Sequence, residues 1–158
     1  MAKLDLSLSP AELQSYLMAQ RTIRLATATP TGRPHVVPLW FVWVDGTVFM
    51  NSTLGNVTIR NLQRNPVATG SIDDGDAYDE LRGVLVEGEV ERADDDARLE
   101  TVKGAWSSKY MGGEPPPYDR WRNRLWLRLV PRRITSWDFR KIPEARTRAA
   151  TRQEAPGA

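Results

Sequence analysis

The sequence predicts a mainly β domain with capping helices, a small barrel of six to seven antiparallel strands. Three features carry that prediction. Val84, Val86, Gly88 and Val90 alternate with Glu87, Glu89 and Glu91, the period of two that marks a half-exposed sheet face. Two turn signals, Thr29-Pro30-Thr31-Gly32-Arg33-Pro34 and Asp45-Gly46, separate β-branched and aromatic runs at hairpin spacing. Helical spacing of apolar residues is limited to three stretches, one before the first strand and two between strand-like runs.

The elements follow in order. Ser9-Pro10-Ala11-Glu12 reads as an N-cap serine, a proline at the first helical position and an acid at N3, which opens a helix to about Gln20. Its apolar residues Leu13, Tyr16 and Leu17 would pack across one end of the barrel. Thr22–Thr29 and His35–Val44 read as strands; the second is apolar on both faces, so it should be buried or lie against a partner subunit. Thr47–Asn51 returns the chain to complete a meander. Asn56 can cap a short helix through Gln63 that stops near Asn65-Pro66, after which Val67–Ile72 resumes as a strand. A loop at Asp73-Asp74-Gly75-Asp76 precedes a long strand, Leu81–Arg92. Asp94–Tyr110 reads as a helix, ended by Gly112-Gly113 and the prolines 115–117. Trp121–Leu129 and Arg133–Phe139 are expected to form a last antiparallel pair turned at Val130-Pro131-Arg132. The domain is drawn as residues 1–142, with 143–158 a flexible C-terminal tail that has lost its apolar content.

A chain of 158 residues fits one domain and can bury a core without staples. It has no cysteine and one histidine, His35, which excludes disulfides, thiolate catalysis and a histidine-rich metal centre. The loop acids Asp73, Asp74 and Asp76 lack the later bidentate glutamate of a calcium loop, so no metal site is expected. The N-terminus lacks a secretory pattern and no apolar run is long enough to cross a bilayer, so the expectation is a cytoplasmic protein with no membrane partner. The net charge of +2 hides an acidic stretch, Asp73–Glu100, and a basic one, Arg120–Arg148. The basic arginines alternate with Leu125, Leu127 and Leu129 as the outer face of a strand would, which argues against a nucleic-acid partner.

The segment with chemical content is Met50–Leu62. A strand ending in small hydroxyl and amide side chains, followed by a short helix carrying Arg60 and Arg64 on one face, is a cradle for a phosphorylated cofactor and points to flavin-type redox chemistry. The bland reading is a strand-to-helix loop with two solvated arginines. His35 is either a proton donor or an ordinary strand residue, and the six tryptophans are mainly packing residues.

The ordered set Leu25-Ala26-Thr27, Gly32-Arg33-Pro34, Pro38-Leu39-Trp40-Phe41, Arg60-Asn61-Leu62, Asn65-Pro66-Val67-Ala68 and Ile134–Lys141 resembles the pyridoxamine 5′-phosphate oxidase-like split-barrel superfamily over about residues 23–142. It is most similar to the branch that uses the deazaflavin coenzyme F420. The resemblance implies a homodimeric split β-barrel with F420, or alternatively FMN, held between barrels. It implies a phosphate side formed by Asn51, Ser52, Thr53, Asn56, Val57, Thr58, Arg60 and Asn61, and a ring side formed by Pro38, Leu39 and Trp40, with Trp137 approaching the ring. Asn56-Val57-Thr58 stands where many cofactor-binding members carry Ser-Arg-Lys or a similar basic motif, so a hydroxyl replaces a point charge; either Arg60, Arg64 or an arginine of a partner subunit compensates, or the site is weakened.

The function so implied is an oxidoreductase that transfers hydride to or from a small conjugated organic substrate, with its proton drawn from solvent, Tyr110, Tyr118 or an arginine. No residue is assigned as catalytic. The alternative is a cofactor-degenerate barrel that carries haem or a fatty acid without turnover.

Overall fold

The computed structural model describes residues 4–117 and 119–145. Tyr118 and the part of the expected tail from residue 146 onward lie outside the described residues. In chain order the elements are α1 (Pro10–Ala19), β1 (Thr22–Ala28), β2 (Pro34–Val44), β3 (Thr47–Thr53), α2 (Val57–Arg64), β4 (Val67–Asp74), β5 (Arg82–Arg92), α3 (Leu99–Tyr110) and β6 (Arg124–Asp138). Single turns of 3-10 helix stand at Tyr78–Glu80 and Phe139–Lys141, and residues 142–145 are helical, with Ala145 buried. The strands close into an antiparallel barrel in the order β1-β2-β3-β6-β5-β4, with β4 returning to β1.

Strand alternation separates two apolar layers. Ile23, Leu25, Phe41, Val48, Met50, Ile72, Val84, Val86 and Leu129 point inward and form the barrel core. Their neighbours Val42, Val44, Phe49 and Trp126 point outward and are covered by Val102 and Trp106 of α3. Tyr16 and Leu17 of α1, and Ile59 and Leu62 of α2, complete the inner core. Each fully buried large aliphatic side chain contributes about 1.5–3 kcal/mol relative to exposure. The capping box predicted for α1 is present: Glu12 donates its N–H to Ser9 Oγ at 3.3 Å, and Ser9 N–H reaches Glu12 Oε2 at 2.7 Å.

The expected C-terminal pair is corrected to a single strand. β6 runs unbroken through Val130-Pro131-Arg132, pairing with β3 on one edge and β5 on the other. Gly88 faces Pro131 and Glu87 faces Arg133, so Arg132 is the extra residue of a β-bulge. The bulge tolerates a proline because the ladder is already interrupted there. Gly88 is required at this point, since a Cβ would lie 2.0 Å from the carbonyl oxygen of Val130.

α3 begins at Leu99, later than the expected Asp94, because Ala93–Leu99 is spent in two tight turns, Asp96 N–H to Ala93 O and Leu99 N–H to Asp96 O. β2 is not buried on both faces in the single chain. Its outward residues Val36 and Trp40 are 58% and 47% exposed, and Pro38 beside them is exposed too.

Much of the acidic and basic stretches lies on the adjacent strands β5 and β6. Glu91 pairs with Arg128, Glu89 with Arg132 and Glu87 with Arg133 across β5 and β6. Asp73 and Asp74 of the acidic loop are likewise held by Arg24 and Arg82.

Candidate functional site

The C-terminal ends of β1 and β3 and the start of β2 meet at one end of the barrel, under α2. Register places Thr27 opposite His35 on β1 and β2, with both residues next to the inward-facing pair Leu25 and Val37. α2 lays Thr58 and Asn61 onto them: Thr58 Oγ1 lies 3.3 Å from His35 Nε2, and Asn61 Nδ2 donates to Thr27 Oγ1 at 3.1 Å. Asn56 caps α2 by accepting the N–H of Ile59 at 2.9 Å, and its amide donates to Ser52 Oγ at 3.0 Å. Gly55, with φ +76°, supplies the left-handed turn that delivers Asn56 to the cap.

This network divides the sequence-predicted residues. Ser52, Thr58 and Asn61 are buried and spend their side chains on neighbours, so they brace the α2 end and present no side chain outward. Arg60 is exposed and its guanidinium folds back onto the carbonyl of Gly55. Val57 is 39% exposed, and the Asn56 cap takes the N–H of Ile59, so the first-turn N–H groups of Val57 and Thr58 have no partner among the described residues at the positive end of the helix. Thr53 is partly exposed at the end of β3. Arg33, before β2, and Arg60 and Arg64, on α2, are exposed and have no carboxylate partner among the described residues.

The ring-side residues also part company. Leu39 packs against the barrel core, whereas Pro38 and Trp40 face outward on β2. Trp40 stacks on Tyr110 of α3, with ring centroids 4.5 Å apart and planes 4° from parallel. The Arg21 guanidinium sits 4.9 Å from the Tyr110 ring centroid. The Tyr110 hydroxyl lies between the carbonyl oxygens of Phe41 and Arg21 and accepts the N–H of Phe41 at 3.1 Å. Burial pushes this phenol up to about 12, so Tyr110 is a keystone of the β2–α3 junction that keeps its proton. Lys109, beside it, donates to the carbonyl of Phe41 at 3.3 Å, and burial lowers its ammonium to about 8.

Asn51 and Trp137 stand apart from the others. Asn51 is 6% exposed and accepts from Arg124 Nη1 at 3.3 Å, on the outer face of β3 and opposite in direction to Ser52. Trp137 lies over Gly83 at the far end of β6, where a Cβ on that glycine would come within 2.3 Å of the indole. Thr27, Lys109, Arg21 and Arg124 escaped the sequence reading. Alternation from Leu25 would have turned Thr27 inward, but no pattern in the chain marks the other three.

A closed six-stranded antiparallel barrel, with a polar strand-to-helix junction at one end and an exposed apolar strand beside it, is a split-barrel protein. The chain belongs to the pyridoxamine 5′-phosphate oxidase family, whose model matches residues 9–138. Among solved structures it is similar to the conserved hypothetical protein Rv2991 from Mycobacterium tuberculosis, at 32% identity and TM-score 0.80 over 90% of this chain and 92% of that one. An F420 reductase aligns at 26% identity and TM-score 0.59, covering 77% of this chain and 94% of the other. A FAD-binding protein from Mesorhizobium loti aligns at 23% and 0.64, covering 82% and 94%. No curated protein matches the chain. No helix among the described residues is long and apolar enough to cross a membrane.

Proposed function

We propose that this chain is a cytoplasmic, homodimeric oxidoreductase that uses F420, or alternatively FMN, to transfer hydride to or from a small conjugated organic substrate. The observation that supports it is a pairing of opposite surfaces. A cationic, carboxylate-free rim at α2 lies at one end of the strand whose exposed outer face carries Val36, Pro38 and Trp40. A cofactor with a phosphate at one end and a flat ring at the other matches both parts. The similarity to an F420 reductase favours the deazaflavin.

The residues present suit the phosphate in a particular way. Thr58 does not replace a lysine as a direct contact, because its hydroxyl is buried on His35. The phosphate side falls instead to the free N–H groups of Val57 and Thr58, to Thr53 and to Arg60, which must leave the Gly55 carbonyl to reach an anion. Ser52, Asn56, Thr58 and Asn61 hold that junction rigid. Pro38 and Trp40 provide an apolar wall for the ring, and a second copy of the chain covers the wall and excludes water. Trp137 reaches the same ring only if the second copy delivers it. When bound, the cofactor supplies the hydride and the protein supplies orientation and electrostatics.

The test is turnover. Purified protein mixed with reduced F420 and a panel of quinones and enones should oxidise the deazaflavin, the acceptor taking the hydride and a solvent proton, which returns the deazaflavin's fluorescence. Arg60→Gln should raise KM for F420 about tenfold with kcat little changed, the signature of lost ground-state binding. Absence of protein-dependent turnover with both reduced cofactors would discard the enzyme and leave the carrier of haem or fatty acid.

A further inference from the structure

A cleft of about 250 Å³ lies between the start of β6 and the first turns of α3. The indoles of Trp121 and Trp126 wall it, and Asn51, Asp94, Lys103 and Arg124 supply its polar lining. Both indoles meet Trp106 edge to face, at centroid distances of 6.4 and 5.2 Å, so the walls are fixed by the core behind them.

The polar groups are unequally spent. Asp94 is committed: one oxygen accepts the N–H of Trp126 at 3.1 Å and the other takes the Arg92 guanidinium at 3.0 Å. The Lys103 ammonium sits 2.7 Å from Glu100. Asn51 is more than nine-tenths buried; its oxygen accepts from Arg124, and its amide N–H2 has no partner among the described residues although it borders the cleft. Arg124 differs from the other arginines of β6. Arg128, Arg132 and Arg133 are each paired with carboxylates, while Arg124 has none among the described residues and rests 4.6 Å from the centroid of Trp121. An amide donor bordering the cleft and a guanidinium with no carboxylate partner among the described residues therefore converge between two aromatic walls.

We propose that this cleft binds a small planar carboxylate, an aromatic acid whose ring packs on Trp121 and Trp126 and whose carboxylate bridges Arg124 and the Asn51 amide. A guanidinium pairs a carboxylate through two parallel N–H bonds, and an indole wall favours a flat ring over a saturated one. The volume admits a single or fused ring and falls below the usual range for larger ligands. The position is independent of the α2 phosphate rim, because Asn51 faces outward where Ser52 faces inward.

The test is a titration of full-length protein with benzoate, followed by the indole N–H resonances of its tryptophans in ¹H–¹⁵N spectra. Saturable shifts at Trp121 and Trp126, at least tenfold weaker affinity in Arg124→Gln, at least threefold weaker in Asn51→Ser, and no saturation with benzyl alcohol would establish the site. The same titration of Arg60→Gln should be unchanged, which separates this cleft from the cofactor reading. No saturation with benzoate, shifts confined to other tryptophans, or undiminished binding by both folded cleft variants would overturn the proposal.

Discussion

At the scale of single residues, the least comfortable charge in the molecule is Lys109. Its ammonium is packed over the rings of Phe41 and Tyr110, donates to one backbone carbonyl, and has Arg21 as its charged neighbour. Burial and that neighbour hold it at about 8 in the folded chain against an ordinary 10.5. The sign follows: between those values the unfolded chain binds more protons, so stability rises as the pH climbs from about 8 to 10.5. Below pH 8 the folded state carries the full penalty. Lys109→Met is expected to stabilise the protein by on the order of 1 kcal/mol at pH 7, discounted for partial exposure, and to remove the alkaline rise. Urea midpoints at pH 7 and pH 10 in both proteins check this, and a destabilised Lys109→Met at pH 7 would contradict it. Asp96 behaves in the opposite sense. Arg98 and Arg128 hold its buried carboxyl well below the usual range, so its contribution is present at neutral pH and is lost as the solution is acidified below the ordinary carboxylate range. Asp96→Ala should cost about 1–3 kcal/mol at pH 7, read from urea midpoints, since it takes the carboxylate from Arg98 and leaves Arg128 with Glu91 alone.

At the scale of elements, the bulge between β5 and β6 governs the shape of the barrel. Gly88→Ala places a methyl against backbone that cannot swing aside, and is expected to cost about 3 kcal/mol. Gly83→Ala should cost less, because its obstacle is the Trp137 side chain. Thermal melts of the two variants rank them directly. The same bulge shows where the sequence stopped being readable. Caps, hairpin signals and strand alternation are local, so α1, β2, β3 and β5 were legible from neighbouring residues. Whether Val130-Pro131-Arg132 turns the chain or bulges it depends on a glycine on another strand, 43 positions before Pro131 by sequence number. The candidate site behaves alike. The Met50–Leu62 segment was visible as a strand leading to a capped helix, but burial of Thr58 on His35, and the departure of Asn51 to the opposite face, come from register and closure.

At the scale of the whole molecule, part of the uneven charge pattern resolves into cross-strand pairing of β5 with β6, where Arg128, Arg132 and Arg133 meet Glu91, Glu89 and Glu87. Exposed surface pairs of this kind contribute little individually, about 0–1 kcal/mol, so their role is register more than stability. What the pairing leaves uncompensated is the arginine rim around α2 and the apolar strip of Val36, Pro38 and Trp40. The cofactor and the second copy of the chain proposed above would cover both. The most direct measurement is calorimetric titration of the purified protein with F420 and, separately, FMN, with sedimentation giving the assembly state in the same buffer. The account predicts a dimer that binds F420 saturably at one equivalent per chain, with FMN weaker. A monomer that binds neither cofactor would contradict it.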